Sequence, residues 1–103
     1  MYLDFLDDEL EALINHEYIG KYKPYRSNAK LIRLLDKTIR YLEAASSIKD
    51  VAAINSLAYE RLKGCENASV RVGYSTKYRL IFKEHEDKIT LILIELSKHY
   101  GDH

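Results

Sequence analysis

Five side chains in the second half of the chain have the chemistry to bind an anion and to move protons. Arg71 and Arg79 fall in segments expected to form neighbouring strands, where two guanidinium groups can hold one phosphate by paired hydrogen bonds. Lys63 precedes them, next to a glycine, and adds a third positive charge. His99 and Tyr100 can exchange protons, and histidine is better suited because its unperturbed pKa lies near neutrality.

No metal or cofactor site is expected. His16, His85 and His103 lack the spacing of metal ligands, and the sequence contains no glycine-rich phosphate loop, nucleophile elbow or paired carboxylates. Cys65 is the only cysteine, which excludes an internal disulfide and argues against a cysteine-based metal site.

The charges are segregated along a chain whose formal net charge is zero. Residues 1–17 carry six acids and no lysine or arginine. Residues 21–41 carry seven basic residues against Asp36 alone, and residues 61–83 carry six against Glu66 alone. Such segregation can build a basic face on a neutral protein.

Length and composition indicate one ordered domain spanning residues 1–103. A chain of this size has interior for one hydrophobic core, and 47% hydrophobic with 31% charged residues is typical of soluble proteins. No apolar run is long enough to cross a membrane, and the first residues are acidic where a signal peptide would be basic. We therefore expect a cytoplasmic protein.

The first half of the chain is predicted to be mainly helical. A short strand at residues 2–6 precedes a helix that Asp8 and Glu11 open with a capping-box pattern. After a connection at residues 16–26, Ser27 or Asn28 caps the longest helix, which ends near Ala45. Residues 50–64 suit a short helix followed by a turn.

From residue 68 the hydrophobic period changes to two, which predicts strands at residues 69–72, 77–83 and 89–96. Residues 73–76 form the expected hairpin turn. Helices followed by strands predict an α+β fold, with N-terminal helices packed on a curved antiparallel sheet of three to five strands.

The second half resembles toxins of the RelE/ParE superfamily from type II toxin-antitoxin systems, particularly the HigB-like branch. The resemblance rests on four pieces in a fixed order: Leu62-Lys63-Gly64, Ser69-Val70-Arg71, Tyr78-Arg79-Leu80-Ile81-Phe82, and an apolar strand followed by His99-Tyr100. The ending Lys98-His99-Tyr100-Gly101 differs from the Asp-Tyr-His type that HigB-like toxins usually carry. The helical first half matches only in layout.

The resemblance implies a metal-independent endoribonuclease, an mRNA interferase that cuts mRNA and often acts on the ribosome. It also implies a cognate antitoxin, expected to be of the helix-turn-helix type. In such cleavage the ribose 2′-hydroxyl attacks the adjacent phosphate, so the enzyme must orient these atoms, stabilise negative charge and move protons. Lys63, Arg71, Arg79, His99 and Tyr100 would form the catalytic set.

The RNA strand would be held by aromatic and basic side chains around that set. The expected contacts are Tyr59, Arg61, Tyr74, Lys77 and Tyr78, because tyrosine rings stack on the bases of single-stranded RNA. Tyrosines also cover the rims of small cores, and nine tyrosines against two phenylalanines fit either use.

Other interpretations remain open. The two arginines can instead form cross-strand ion pairs with an acid such as Glu95. The helical stripe of Lys30, Arg33, Lys37 and Arg40 can be a solvated face or a contact for RNA or antitoxin. The protein as a whole can instead be a ParE-like toxin that targets DNA gyrase, or a non-catalytic protein-interaction module.

Overall fold

The computed structural model describes residues 1–74 and 76–98, which form three α-helices, two short 3-10 segments and five strands. In chain order these are β1 (Tyr2–Phe5), α1 (Asp8–Ile14), a 3-10 segment (Gly20–Ser27), α2 (Ala29–Ala44), α3 (Ile48–Ala53), a 3-10 turn (Asn55–Leu57), β2 (Glu60–Arg61), β3 (Asn67–Arg71), β4 (Arg79–Glu84) and β5 (Thr90–Ser97). None of the helices in this part of the chain has the length and apolar character that crossing a membrane requires.

All five strands belong to one sheet, in the order β1-β5-β4-β3-β2. The four strands from β2 to β5 pair antiparallel, as the sequence predicts, whereas β1 pairs in parallel with β5. The α+β class is therefore confirmed, and the sheet is mixed at one edge. A bulge between Ile81 and Phe82 shifts the register of β4 against β5.

One face of the sheet packs against the apolar stripe of α2. Strand alternation directs the even-numbered residues of β3 and the first part of β4 toward this core, where they are almost fully buried. The core side chains from the helix and these strands are Leu31, Leu35, Leu42, Val70, Leu80 and Phe82. Burying each such side chain stabilises the fold by roughly 1.5–3 kcal/mol, so this packing fixes the strand register.

Side chains cap the two longer predicted helices. Asn28 accepts a hydrogen bond from the Leu31 amide at 3.2 Å, so it is the cap of α2 among the two predicted candidates. The predicted capping box at Asp8 is wrong by one residue, because Asp7 is the cap of α1 and accepts from the Glu9 amide at 2.9 Å. Both caps satisfy amides that the helix itself leaves unpaired.

The connection between α1 and α2 covers an unpaired part of β5. The 3-10 segment includes the proline of this region, and it carries Tyr22, which is only 2% exposed. The Tyr22 hydroxyl accepts a hydrogen bond from the Leu96 amide at 3.1 Å, beyond the stretch of β5 that pairs with β1. A buried amide at a strand edge is thereby satisfied by a side chain from 74 residues away.

We expect Tyr22→Phe to destabilise the fold by about 1–3 kcal/mol, because it leaves the Leu96 amide buried without an acceptor. The free energy of unfolding in urea measures this loss. Tyr18→Phe is the matched control, since the Tyr18 hydroxyl makes no hydrogen bond to the residues that the structure describes. Equal stability of the Tyr22→Phe variant and the native protein would contradict the assignment.

Candidate nucleic-acid interface

The register of β3 and β4 brings Arg71 and Arg79 together on the face of the sheet opposite the core residues Val70 and Leu80. Arg71 lies directly opposite Arg79 in the antiparallel ladder, and directly opposed residues project from the same face. Their neighbours Val70 and Leu80 point the other way and are fully buried in the core. The sequence expectation that the two guanidinium groups are neighbours therefore agrees with the register.

Arg79 is held in place by hydrogen bonds within the protein. Its Nε donates to Ser69 Oγ at 2.8 Å, and a terminal nitrogen donates to the Ala58 carbonyl at 2.6 Å. The Arg79 side chain is only 14% exposed, and the acid that it approaches is Glu60, at 4.0 Å. The acid considered from sequence, Glu95, lies opposite Ile81 instead. Burial lowers the pKa of Arg79 from its usual value, with Glu60 opposing this shift and Arg71 adding to it.

Arg71 is bound much less tightly. Its guanidinium carbon lies 5.4 Å from the centroid of the Tyr74 ring, a cation–π distance. Within the described part of the chain it forms no ion pair or hydrogen bond through its side chain. The pair thus combines one fixed guanidinium group with one that can turn toward a ligand.

Lys63 lies at the other end of the sheet. It is exposed in the turn between β2 and β3, next to Asn67, whereas Arg71 is the last residue of β3. Arg71 lies four residue steps beyond Asn67 along the extended strand, a length of about 13 Å. The structure does not bring Lys63 beside the two arginines.

Tyr59 and Arg61 lie on the opposite side of the sheet from the arginine pair. Arg61 is paired with the core-facing Ala68, and the Tyr59 ring lies 6.3 Å from the ring of the buried Phe82. Both residues line a polar cavity of about 180 Å³ on that side. A strand of RNA at Arg71 and Arg79 would not contact them without passing around the sheet edge.

Lys77 and Tyr78 line a second groove at the arginine end of the sheet. This groove of about 300 Å³ lies between the start of α2, the β3–β4 turn and the end of β5. It gathers three lysines that no acid in its lining opposes: Lys30, Lys77 and Lys98. The Tyr78 ring itself packs edge to face against Tyr25, with centroids 5.5 Å apart.

His99 and Tyr100 lie outside the described residues. The described part of β5 ends at the same end of the sheet as the arginine pair, because Ser97 lies opposite Arg79. The sequence therefore continues toward His99 from a point beside Arg79, and the proposed proton-transfer role of the tail stays a prediction.

Two solved structures resemble this architecture. RelE from the archaeal RelE-RelB complex of Pyrococcus horikoshii OT3 aligns over 97% of this chain and 96% of its own, with a TM-score of 0.58 and 14% identity. A mutant E. coli toxin RelE in complex with an antitoxin RelBc peptide aligns over 98% and 85%, with a TM-score of 0.50 and 20% identity. The chain has the RelE fold. No protein-family model and no curated protein sequence matches it.

Several residues at the arginine end of this RelE fold were not predicted from sequence to have a role at the site. Ser69 and Ala58 position Arg79, and Lys98 joins Lys77 at the second groove. The alternation of β3 could have identified Ser69, because it places Ser69 and Arg71 on one face. The Ala58 contact has no sequence signal, since it depends on a backbone carbonyl at a residue with positive φ.

We expect the two arginines of the RelE fold to differ in their contribution to stability. Arg79→Ala leaves the Ala58 carbonyl without its donor and should lower the free energy of unfolding by about 1.5–3 kcal/mol. Arg71→Ala removes no hydrogen bond to a described residue and should change it by less than about 0.5 kcal/mol. Chemical denaturation measures both values, and equal losses would contradict the assigned contacts.

We expect Tyr25 to make the stability of the protein fall in alkaline solution. Burial first, and then the neighbouring Tyr78 hydroxyl, raise the pKa of Tyr25 from 10.0 to about 12. A raised pKa favours the protonated folded state, so this contribution is complete below pH 10.0 and is lost as the pH rises through about 12.

The measurement is the free energy of unfolding of the native protein and of Tyr25→Phe between about pH 9 and pH 12. The native protein should lose more stability than the variant over this range. Tyr2→Phe, at a 71% exposed position, is the control and should follow the native curve. Parallel curves for native protein and Tyr25→Phe would contradict the shift.

Proposed function

We propose that this chain is the toxin of a type II toxin-antitoxin system and cleaves mRNA without a metal ion. The observation that carries this proposal is the pair of guanidinium groups, Arg71 opposite Arg79, on the face of the sheet opposite the core residues Val70 and Leu80. The RelE fold supports it, because the two aligned structures described above are RelE toxins. Among the described residues, Glu60 is the one acid within ion-pair distance of Arg79, at 4.0 Å, and none lies within that distance of Arg71.

The arginine pair suits the charge that develops on a phosphate during cleavage. When the 2′-hydroxyl attacks, negative charge grows on the phosphate oxygens, and donors already in position stabilise it without reorganising. Arg79 meets this requirement because Ser69 and the Ala58 carbonyl fix its orientation. Arg71 is free of such bonds to the described residues and can close on the phosphate by two parallel hydrogen bonds.

We propose that side chains at the end of this sequence transfer the protons. The attacking hydroxyl must lose a proton and the leaving 5′-oxygen must gain one. His99 and Tyr100 follow β5, whose described part ends opposite Arg79, and we propose that they transfer these protons. Lys63 would act only if a substrate spans the length of β3, since it lies at the far end of that strand.

The second groove, which contains three lysines, gives the RNA backbone a path away from the arginine pair. Lys30, Lys77 and Lys98 can each neutralise a phosphate, a contribution that weakens as the salt concentration rises. We propose that mRNA on the ribosome is the substrate, that the protein works in the cytoplasm, and that an antitoxin masks this basic end. The antitoxin proposal is supported by the RelB partners present with both RelE structures.

Expression of the native chain should arrest growth, and co-expression with the small protein encoded beside it should relieve the arrest. The purified chain should cut mRNA, free or on ribosomes, in the presence of EDTA. Arg71→Gln should lower the cleavage rate by about a hundredfold, because it removes one donor to the transition-state oxygens. Cleavage gels with end-labelled mRNA measure the rate.

Arg40→Gln is the matched control, since Arg40 is an exposed arginine on α2, and it should leave cleavage unchanged. His99→Ala should also abolish both cleavage and arrest. Arrest that persists in His99→Ala and Arg71→Gln, together with inhibition of DNA gyrase, would replace the nuclease with a ParE-like toxin. Tight binding to the neighbouring protein without arrest or cleavage would indicate an interaction module.

A further inference from the structure

The structure carries a groove between α2 and the β3–β4 turn that shares only Arg71 with the proposed cleavage site. It encloses about 200 Å³ and is lined mainly by apolar surface. Leu34, Lys37 and Tyr41 contribute from successive turns of one face of α2, and Arg71, Gly73 and Tyr74 contribute from the end of β3 and the turn. The groove therefore adjoins the arginine pair through Arg71.

Close packing fixes the base of this groove. Gly73 has a φ of +79°, and a Cβ at this position would lie 2.7 Å from a methyl group of Leu34. The turn can approach α2 this closely because residue 73 has no side chain. The groove is therefore a defined cleft rather than a gap between loosely packed loops.

The rim of the groove carries two aromatic rings, each with its own cation. The Lys37 ammonium lies 5.9 Å from the centroid of the Tyr41 ring, and the Arg71 guanidinium lies 5.4 Å from that of Tyr74. No acid is among the described residues that line the groove. Tyr74 is 75% exposed, so its ring is not part of the hydrophobic core.

We infer that this groove binds a nucleobase of the RNA strand whose phosphate lies on the arginine pair. Aromatic rings with flanking cations fit the planar face of a base attached to an anionic backbone, and stacking of this kind accepts every base. A cleft of this volume admits a planar ring but not a helix, whose diameter is about 10–12 Å. This inference rests on the proposed function and adds the position of a neighbouring base.

The first test measures binding of a fluorescent 2′-O-methyl RNA of about ten nucleotides to the full chain by fluorescence anisotropy. Methylation blocks the attacking hydroxyl, so the proposed cleavage cannot consume the probe. Tyr74→Ala should weaken binding about tenfold, because it removes one stacking surface. Tyr74→Phe, which keeps the ring, should bind within about twofold of the native protein.

Tyr2→Ala is the matched control, because Tyr2 is 71% exposed on β1, away from the groove. It should bind the RNA as the native protein does. Unchanged binding by Tyr74→Ala, or equal weakening by Tyr74→Ala and Tyr2→Ala, would overturn the inference. If mRNA cleavage persists in that case, only the groove assignment fails; if the native chain neither binds nor cuts RNA, the proposed function itself fails.

A second measurement locates the base. In methyl NMR spectra of the full chain, adenosine monophosphate should shift the Leu34 methyl signals, whereas ribose 5-phosphate should not. Equal shifts from both compounds would show that charge alone acts there and would overturn the base assignment. Shifts from an acidic peptide carrying leucine, with none from the nucleotide, would assign the groove to a protein partner and would also overturn it.

Discussion

The alternation of β3 and β4 is the constraint on which both the core and the candidate site depend. Val70 and Leu80 are buried in the core, so Arg71 and Arg79 must project from the opposite face of the strands. A slip of one residue would exchange these positions and place two charges in the core, at a cost that no partner there offsets. The packing that stabilises the fold therefore also holds the two guanidinium groups opposite each other.

Local sequence patterns predicted most of the helices and strands. They did not predict which strands pair over long distances in the sequence. The period-two residues around Val70 and Leu80 gave the central strands, and Asn28 gave the start of α2, because both signals lie within a few residues. The parallel pairing of β1 with β5 joins residues nearly ninety positions apart, as in Tyr2 with Thr90. No local pattern in either segment specifies the direction of that pairing.

The candidate site was predictable where it follows from strand alternation and not where it depends on position along a strand. Arg71 and Arg79 were expected to be neighbours, and the register agrees. Arg61 and Lys63 are close in sequence and were both expected at the site. Lys63 instead lies at the far end of β3 from the arginine pair, and Arg61 lies on the opposite face of the sheet. The order of residues in the sequence predicts which of them lie in the sheet. It does not predict how far apart they lie when turns and a two-residue strand separate them.

The net charge of zero conceals a cluster of cations at one end of the sheet, where Lys77 and Lys98 join Arg71 and Arg79. Two acids at the start of α1 are paired with Lys21: the cap residue Asp7 forms an ion pair with its ammonium group at 2.5 Å, and Glu9 accepts a hydrogen bond from its amide. Among the residues that the structure describes, Lys77 and Lys98 form no ion pair, and they share the arginine end of the sheet. An anion approaching that end meets these cations at short range, whereas salt at about 0.1 M screens exposed acids that lie more than about 10 Å away. The distribution of charge, rather than its sum, therefore decides which partner this surface attracts.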